Sequence, residues 1–125
     1  MADIKKYGHR KLPIGNSNSQ GDCNVINVIA SIQVKKGRVA EFIEIFKGNV
    51  PSVLEEKGCI AYAPTVDMPT GLPPQELNGD MVTIIEQWAS LEDLKAHLSA
   101  PHMRSYQEKV KGMVEKVSLK VLRAA

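Results

Sequence analysis

Residues 25–34 read VINVIASIQV, and here a polar N-terminal sequence gives way abruptly to strict alternation of side chains. One face of this stretch carries Ile26, Val28, Ala30, Ile32 and Val34, and the other carries Asn27, Ser31 and Gln33. Alternation with a period of two is the pattern of a β-strand that is buried on one face. The sequence therefore predicts a first strand from Val25 to Val34.

A helix and a second strand follow this first strand. Lys36-Gly37 has the composition of a turn, and apolar residues then recur at helical spacing from Val39 to Leu54. Lys57-Gly58 is expected to end the helix, because glycine readily adopts the left-handed conformation at a helix C-terminus. Alternation resumes from Cys59 to Val66 and predicts a second strand.

The next segment is predicted to be a loop followed by a third strand. Residues 67–80 hold three prolines and two glycines, a composition that regular secondary structure does not tolerate. A loop of this length is more often functional than a plain hairpin turn. Residues 81–88 are nearly continuously apolar, which predicts a third strand that is buried on both faces.

The C-terminal part of the chain predicts two helices and a last strand. Ser90 is placed to cap a short helix that runs to Ser99. Pro101 suits the first turn of another helix, whose buried stripe is expected to extend to Val117. A last strand is predicted from Val117 to Leu122.

The predicted order is therefore β-α-β-β-α-β with an extra helical turn, the ferredoxin-like arrangement of an α+β domain. Residues 25–125 are assigned to this domain, and residues 1–24 to a polar N-terminal tail. Helices on one face of the sheet leave the other face bare, and that face carries Ile29 or Ile85 beside polar residues. A second copy of the chain is expected to cover it.

The length of 125 residues and the average composition fit one globular domain. The net charge of +2 arises in the first 24 residues, since the remaining chain carries 12 basic and 12 acidic residues. A neutral domain lacks the positive surface of a nucleic-acid-binding protein. No apolar run suggests a signal peptide or a membrane span, so a cytoplasmic protein without membrane attachment is predicted.

Two stretches of the sequence resemble a known family. Residues 50–67, VPSVLEEKGCIAYAPTVD, and residues 82–122, with EQW, LKAHLSAPHM and VKGMVEKV, are similar to the antibiotic biosynthesis monooxygenase family, most of all to its bacterial quinol monooxygenase branch. The resemblance covers residues 25–122. It implies a dimeric α+β barrel in which two sheets pack face to face, and an apolar cavity between the sheet and the helices of each subunit. It also implies oxidation of a dihydroxynaphthalene or related quinol by dioxygen, without metal, flavin or haem.

Two other branches of this superfamily differ from the chain at their functional positions. Where the haem-degrading branch has an asparagine, a tryptophan and the haem-ligating histidine, this sequence has Ala30, His97 and Gln107. Where the anthrone-oxidising branch has an asparagine and a tyrosine, it has Ile84 and Leu94. The resemblance therefore implies neither haem binding nor the handling of an anthrone.

His97 is the main candidate for catalysis. It shares the apolar stripe of the second predicted helix with Leu91, Leu94 and Leu98, so it should point towards the sheet and the expected cavity. An imidazole titrates near neutral pH and could remove a proton from a quinol. A histidine that is simply satisfied within the core is the alternative interpretation.

Four further residues are candidates for the site. His102, near the start of the next helix, could donate a hydrogen bond to a substrate oxygen or could cap the helix. Glu86 lies on an apolar strand face, where it could act in catalysis by orienting a histidine or could pair with a donor for structure alone. Trp88 and Tyr62 could stack on an aromatic substrate, although packing within the core is the alternative for both.

The sequence contains no nucleotide-binding glycine loop and no strong metal-ligand motif. A metal site built from His97, His102 and Glu86 is disfavoured because their spacing matches no zinc signature. The leading hypothesis is a cofactor-independent monooxygenase that oxidises a quinol with dioxygen. An isomerase of a small carbonyl metabolite and a non-catalytic binder of aromatic ligands are the alternatives, and oxygen consumption would separate the first from the others.

Overall fold

The computed structural model describes residues 24–125. Within this range the strands are β1 (Ile26–Val34), β2 (Cys59–Val66), β3 (Met81–Trp88) and β4 (Val114–Leu122), and the helices are α1 (Val39–Leu54), α2 (Leu91–Leu98) and α3 (Pro101–Val110). None of these helices is both long and apolar enough to cross a membrane. The predicted tail, residues 1–24, lies outside the described residues except for its last one.

The strands form one antiparallel sheet in the order β2-β3-β1-β4. The central strand β1 pairs with β3 on one side, from Ile26 opposite Trp88 to Gln33 opposite Met81. On its other side β1 pairs with β4. Helices connect β1 to β2 and β3 to β4, so the ferredoxin-like α+β fold predicted from the sequence is confirmed.

The helices cover one face of the sheet. Every second residue of β1 and β3 is buried under them: Val28, Ala30, Ile32, Val34, Val82, Ile84, Glu86 and Trp88. Ile85, on the opposite face of β3, is 48% exposed. The prediction that β3 is buried on both faces is therefore wrong for the single chain, because its second face carries no helix.

Helix α1 supplies most of the helical side of the core, with Phe42, Phe46, Val50, Val53 and Leu54 buried. The ring of Phe46 stacks on Tyr62 of β2, with 5.4 Å between the ring centroids. Tyr106 of α3 packs edge-on against the same phenylalanine at 5.6 Å. Aromatic packing around Phe46 thus joins β2, α1 and α3.

The last strand begins earlier than predicted. Helix α3 ends at Val110 and β4 starts at Val114, whereas the sequence pattern assigned residues up to Val117 to the helical stripe. In the structure Val117 pairs with Ile32 of β1 instead. Gly112 lies in the intervening turn, and the cost of holding glycine in a helix favours ending it there. The open edge of β1 then supplies backbone partners for the following residues.

Strand β4 is poorly covered on both faces. Val117, Leu119 and Val121 stand beside the buried residues of β1, on the helical side of the sheet. They are nevertheless 54%, 49% and 48% exposed. The helices thus cover β2, β3 and β1 and leave the β4 edge of the sheet open.

The approach of α2 to the end of α1 depends on Gly58. Its φ of 81° lies in the left-handed region that glycine adopts without a steric penalty. A methyl group on its Cα would overlap the carboxylate of Asp93. Asp93 is held in place by the predicted cap of α2, because its amide donates a hydrogen bond to Ser90 Oγ at 3.1 Å. The Ala89 amide also donates to the Gly58 carbonyl at 2.8 Å, so this turn fixes where α2 starts.

Replacing Gly58 with alanine should destabilise the protein more than the same change at Gly37, which has a similar φ of 84° but open space around its Cα. Both variants force an L-residue into the left-handed region, at a cost of about 1–2 kcal/mol. Only Gly58→Ala adds an overlap with Asp93, and overpacking typically costs about 1–3 kcal/mol more. Urea unfolding followed by circular dichroism measures both losses. Equal losses in the two variants would show that the contact with Asp93 does not constrain the fold.

Candidate active site

A cavity of about 420 Å³ lies between the helical face of the sheet and helix α3. Its lining is mainly apolar and aromatic and includes Ala30, Ile32, Phe46, Tyr62, Ile84, Tyr106, Val117 and Leu119. Two ionisable side chains of the buried core, Glu86 and His97, also line it. The cavity therefore combines an apolar lining with an acid and a base.

Glu86 lies on the buried face of β3, as its position in the strand pattern predicts, and is 6% exposed. Its Oε1 accepts a hydrogen bond of 2.9 Å from the indole Nε1 of Trp88. Burial raises the pKa of Glu86 from 4.5 to about 7, and the carboxylate of Glu56 adds to this rise, while the Trp88 hydrogen bond opposes it. Near neutral pH this carboxyl group can therefore hold or release a proton.

His97 is 2% exposed and lies close to the end of α2. Its ring packs against Trp88 at 4.7 Å and edge-on against Tyr62 at 5.3 Å, measured between ring centroids. Burial lowers the pKa of His97 below its usual 6.5, although the hydrogen bond and the charge of Glu56 oppose this effect. A neutral imidazole at physiological pH follows, which is the form that can accept a proton.

The two tyrosines of the cavity are kept in their neutral form. Burial raises the pKa of Tyr62 well above 10, and the nearby carboxylate of Glu86 adds to the rise. Burial and Glu86 raise the pKa of Tyr106 in the same way. Phenol groups that keep their protons can donate hydrogen bonds to an oxygen atom of a ligand.

Of the five predicted site residues, the structure brings Tyr62, Glu86 and His97 together around the cavity. Trp88 is fully buried behind them and does not line the cavity. His102 lines a separate surface cleft of about 350 Å³. It reaches the site indirectly, through a 2.6 Å hydrogen bond between its Nε2 and Glu56 Oε2.

Two contacts differ from what the sequence suggested. The partner of His97 is Glu56 and not Glu86, since Glu86 is committed to Trp88. Leu91 and Leu98, assigned with His97 to one buried stripe, are 41% and 46% exposed, because α2 is short and only part of it packs on the sheet.

Glu56 and Tyr106 are residues of the site that sequence reasoning missed. Glu56 stands in the run Glu55-Glu56-Lys57, which has the composition of a solvated surface. Tyr106 falls at helical spacing on the predicted buried stripe of the helix that follows Pro101, and such a position does not indicate a cavity. Only their contacts in the folded chain identify them.

The three side chains whose spacing disfavours a metal site, His97, His102 and Glu86, do not share one centre in the structure. Glu86 bonds to Trp88, whereas His97 and His102 share a carboxylate oxygen of Glu56. Across residues 24–125 no group of three His, Cys, Asp or Glu side chains is arranged to hold a metal ion.

Comparison with known proteins places this architecture in a family. The family profile described as antibiotic biosynthesis monooxygenase matches residues 25–109. The chain belongs to the antibiotic biosynthesis monooxygenase family. A relative of this family member in Escherichia coli K12, named probable quinol monooxygenase YgiN, is 40% identical over 100 residues, which cover 78% of this chain and 96% of the relative.

Solved structures share the fold of this antibiotic biosynthesis monooxygenase family member. A conserved protein from Methanosarcina mazei Go1 matches with a TM-score of 0.72 and 23% identity, over 84% of this chain and 97% of that protein. PA3566 from Pseudomonas aeruginosa matches with a TM-score of 0.70 and 18% identity, over 83% and 97% of the two chains. These structural matches show the fold, and membership of the family identifies the chain as an enzyme of a monooxygenase family.

Glu86 should make the stability of the protein depend on pH. The native carboxyl keeps its proton up to about pH 7, while its ordinary pKa is 4.5, so the native state binds more protons between these values. The contribution of Glu86 to the free energy of unfolding should therefore fall as the pH rises from about 4.5 to about 7, by roughly 3 kcal/mol at most. Glu86→Gln cannot ionise but can still accept the Trp88 hydrogen bond, so it should flatten this slope.

Urea unfolding at a series of pH values tests this prediction. Glu76→Gln, which removes an exposed carboxylate from the loop between β2 and β3, is the matched control and should keep the wild-type slope. A Glu86→Gln protein with the wild-type slope would mean that Glu86 does not hold the extra proton.

Proposed function

We propose that this enzyme is a cofactor-independent monooxygenase that oxidises a quinol with dioxygen. The observation that carries the proposal is the buried neutral imidazole of His97, which lines an apolar cavity together with a protonatable carboxyl group. Cavities of about 300–1,000 Å³ are typical of small-molecule sites, and this one measures about 420 Å³. The name of the Escherichia coli relative, probable quinol monooxygenase, supports the same substrate class.

The proposed reaction starts with proton transfer from the quinol to His97. The resulting quinolate is electron-rich and passes one electron to dioxygen, which gives a semiquinone and superoxide. These two radicals combine at a ring carbon to form a peroxide anion, which takes up the proton held by His97. Loss of water then leaves a hydroxyquinone, so that one oxygen atom enters the ring and the other leaves as water.

In this proposal the remaining site residues bind the substrate, stabilise the peroxide or hold other side chains in place. Tyr62 and Tyr106 donate hydrogen bonds to substrate oxygens, because both phenols keep their protons. Glu86 in its protonated form stabilises the developing peroxide by hydrogen bonding. Trp88 touches no substrate, since it is fully buried, and instead holds Glu86 and packs under the ring of His97.

The two alternative functions predict different products from the same cavity. An isomerase of a small carbonyl metabolite would use His97 to move a proton and would consume no oxygen. A non-catalytic binder would take up aromatic ligands without turnover. An apolar cavity with two phenol donors suits all three functions. Oxygen uptake is therefore the measurement that separates the monooxygenase from the other two. Action in the cytoplasm stays a prediction from the sequence.

Replacing His97 with alanine should lower the rate of oxygen uptake with a naphthoquinol by about 100-fold to 10,000-fold, the usual effect of losing a general base. Uptake is measured with an oxygen electrode after subtraction of spontaneous autoxidation, together with the melting temperature. Val53→Ala is the matched control, because Val53 is fully buried in α1 and does not line the cavity. It should lose stability and keep its turnover.

A His97→Ala protein that melts earlier but oxidises quinol at the wild-type rate would make His97 a packing residue. Conversion of a carbonyl substrate without oxygen uptake would favour the isomerase, and saturable quinone binding without turnover would favour the binder.

We also propose that the enzyme is a homodimer in which a second copy covers the bare face of the sheet. Ile29, Ile85 and Ala63 stand side by side across β1, β3 and β2 on this face and form an apolar row. Ile85 at its centre is 48% exposed in the single chain. A continuous apolar row on an uncovered sheet favours association with a matching surface.

Replacing Ile85 with lysine should convert the dimer to a monomer, because two buried ammonium groups would face each other across the symmetric interface. Light scattering at micromolar concentration gives the mass. Leu72→Lys, a change at a 64% exposed loop residue, should leave the dimer intact. A monomeric wild-type protein would contradict the proposed assembly.

A further inference from the structure

One carboxylate oxygen lies between His97 and His102. Glu56 Oε2 lies 3.0 Å from His97 Nδ1 and 2.6 Å from His102 Nε2. The three side chains come from just beyond the end of α1, from the end of α2 and from the start of α3. Their exposed fractions rise outwards from 2% for His97 to 14% for Glu56 and 29% for His102. The glutamate therefore connects a buried imidazole with a half-exposed one.

This contact assigns a hydrogen to each nitrogen that touches Glu56. An ionised carboxylate only accepts hydrogen bonds, so His97 must carry its proton on Nδ1. In the neutral imidazole the other nitrogen, Nε2, then has a free lone pair. Nothing among residues 24–125 is hydrogen-bonded to this Nε2, and the ring lines the cavity. The free lone pair is thus available to a ligand.

We propose that Glu56, held in place by His102, is the positioning residue that fixes the ring and the tautomer of His97 so that Nε2 accepts the substrate proton. The proposal rests on the proposed function, in which His97 is the base. Glu56 itself touches no substrate, because it does not line the cavity.

Glu56 has a second effect on catalysis, because its carboxylate compensates the charge of protonated His97. When His97 takes up a proton, a positive charge appears on a side chain that is 2% exposed, which burial alone disfavours. The carboxylate at 3.0 Å compensates this charge, as the acid of a catalytic triad does for its histidine. The other titratable side chains that line the cavity are Glu86 on β3, Tyr62 on β2, Tyr106 on α3 and Lys111 just beyond the end of α3. The cleft lined by His102 also holds Glu44 and Lys109. Glu56 is the member of this set that is hydrogen-bonded to His97, so it is the group placed to compensate the charge of the imidazolium.

The tautomer can be read without any turnover. Nitrogen-15 NMR of the histidine side chains in the full chain should show His97 protonated on Nδ1 in the wild type. Glu56→Gln offers an amide donor as well as an acceptor, so it should shift the ring towards the Nε2-protonated form. Glu55→Gln is the matched control, because Glu55 is the exposed neighbour in sequence and should leave the tautomer unchanged.

Kinetics test the consequence for the reaction. Glu56→Gln should lower kcat for quinol oxidation by about 100-fold or more with little change in KM, within the range of general-base loss. In this variant the rise of kcat with pH should occur at lower pH than in the wild type. Glu56 raises the pKa of His97, and the unprotonated form of the base is the active one. A purely structural defect would lower the rate without changing the pH at which the rate rises.

His102 is tested by a pair of variants. His102→Ala removes the donor that holds Glu56, and it should lower kcat by about 10-fold, similar to the smaller losses seen when the hydrogen-bond partner of a metal-ligating histidine is removed. His102→Gln keeps an N–H donor and should restore most of the rate. These two variants also test the proposal if Glu56→Gln does not fold. If His102→Ala and His102→Gln have the same His97 tautomer and the same rate, the positioning role of Glu56 and His102 is overturned.

The outcomes separate this proposal from the proposed function. A wild type that does not oxidise quinols but shows the Nδ1-protonated tautomer, lost in Glu56→Gln, would remove the proposed function and leave the positioning role. If the wild type oxidises quinols and Glu56→Gln has the same kcat and the same pH–rate profile, the proposed function stands and the positioning role is overturned. Protonation of His97 on Nε2 in the wild type would overturn the positioning role directly.

Discussion

Helices pack on only one face of the antiparallel sheet, and the positions of the polar groups follow from this asymmetry. The covered face must be apolar, because burying a polar group without a partner costs several kcal/mol. Glu86 and His97 are the polar or charged residues that the described part of the chain buries, and both border the same cavity. The exceptions to the apolar pattern are therefore concentrated at one place, where each has a hydrogen-bond partner.

Trp88 links these two exceptions. Its indole nitrogen satisfies Glu86, and its ring lies 4.7 Å from the ring of His97. Tryptophan suits this position because its large ring fills the core and its one N–H donates a hydrogen bond to the buried carboxyl group of Glu86. Its complete burial keeps the indole out of the cavity lining.

The fold was largely predictable because its signals are local. Strict alternation in β1, Gly58 after α1 and the proline-rich loop before β3 each specify their structure within a few residues. The start of β4 was not predictable, since Val114 and Val117 fit a helical stripe as well as a strand, and only pairing with β1 decides between them. The burial of Glu86 and His97 follows from their periodicity, although Leu91 and Leu98 of the same predicted helical stripe are exposed. Glu56 could not be placed from the sequence, because its contacts with His97 and His102 span 41 and 46 residues of sequence.

Burial acts in opposite directions on the acid and the base of this cavity. Removing water disfavours the charged form of each group, so the pKa of Glu86 rises to about 7 while the pKa of His97 falls. Both groups are thereby driven towards their neutral forms, and near neutral pH a proton donor and a proton acceptor can stand in one apolar site. An aromatic ligand that fills the cavity would displace the remaining water and strengthen both effects. Ligand binding would then favour the protonated carboxyl and the unprotonated imidazole together, which is the pair of states that the proposed reaction requires.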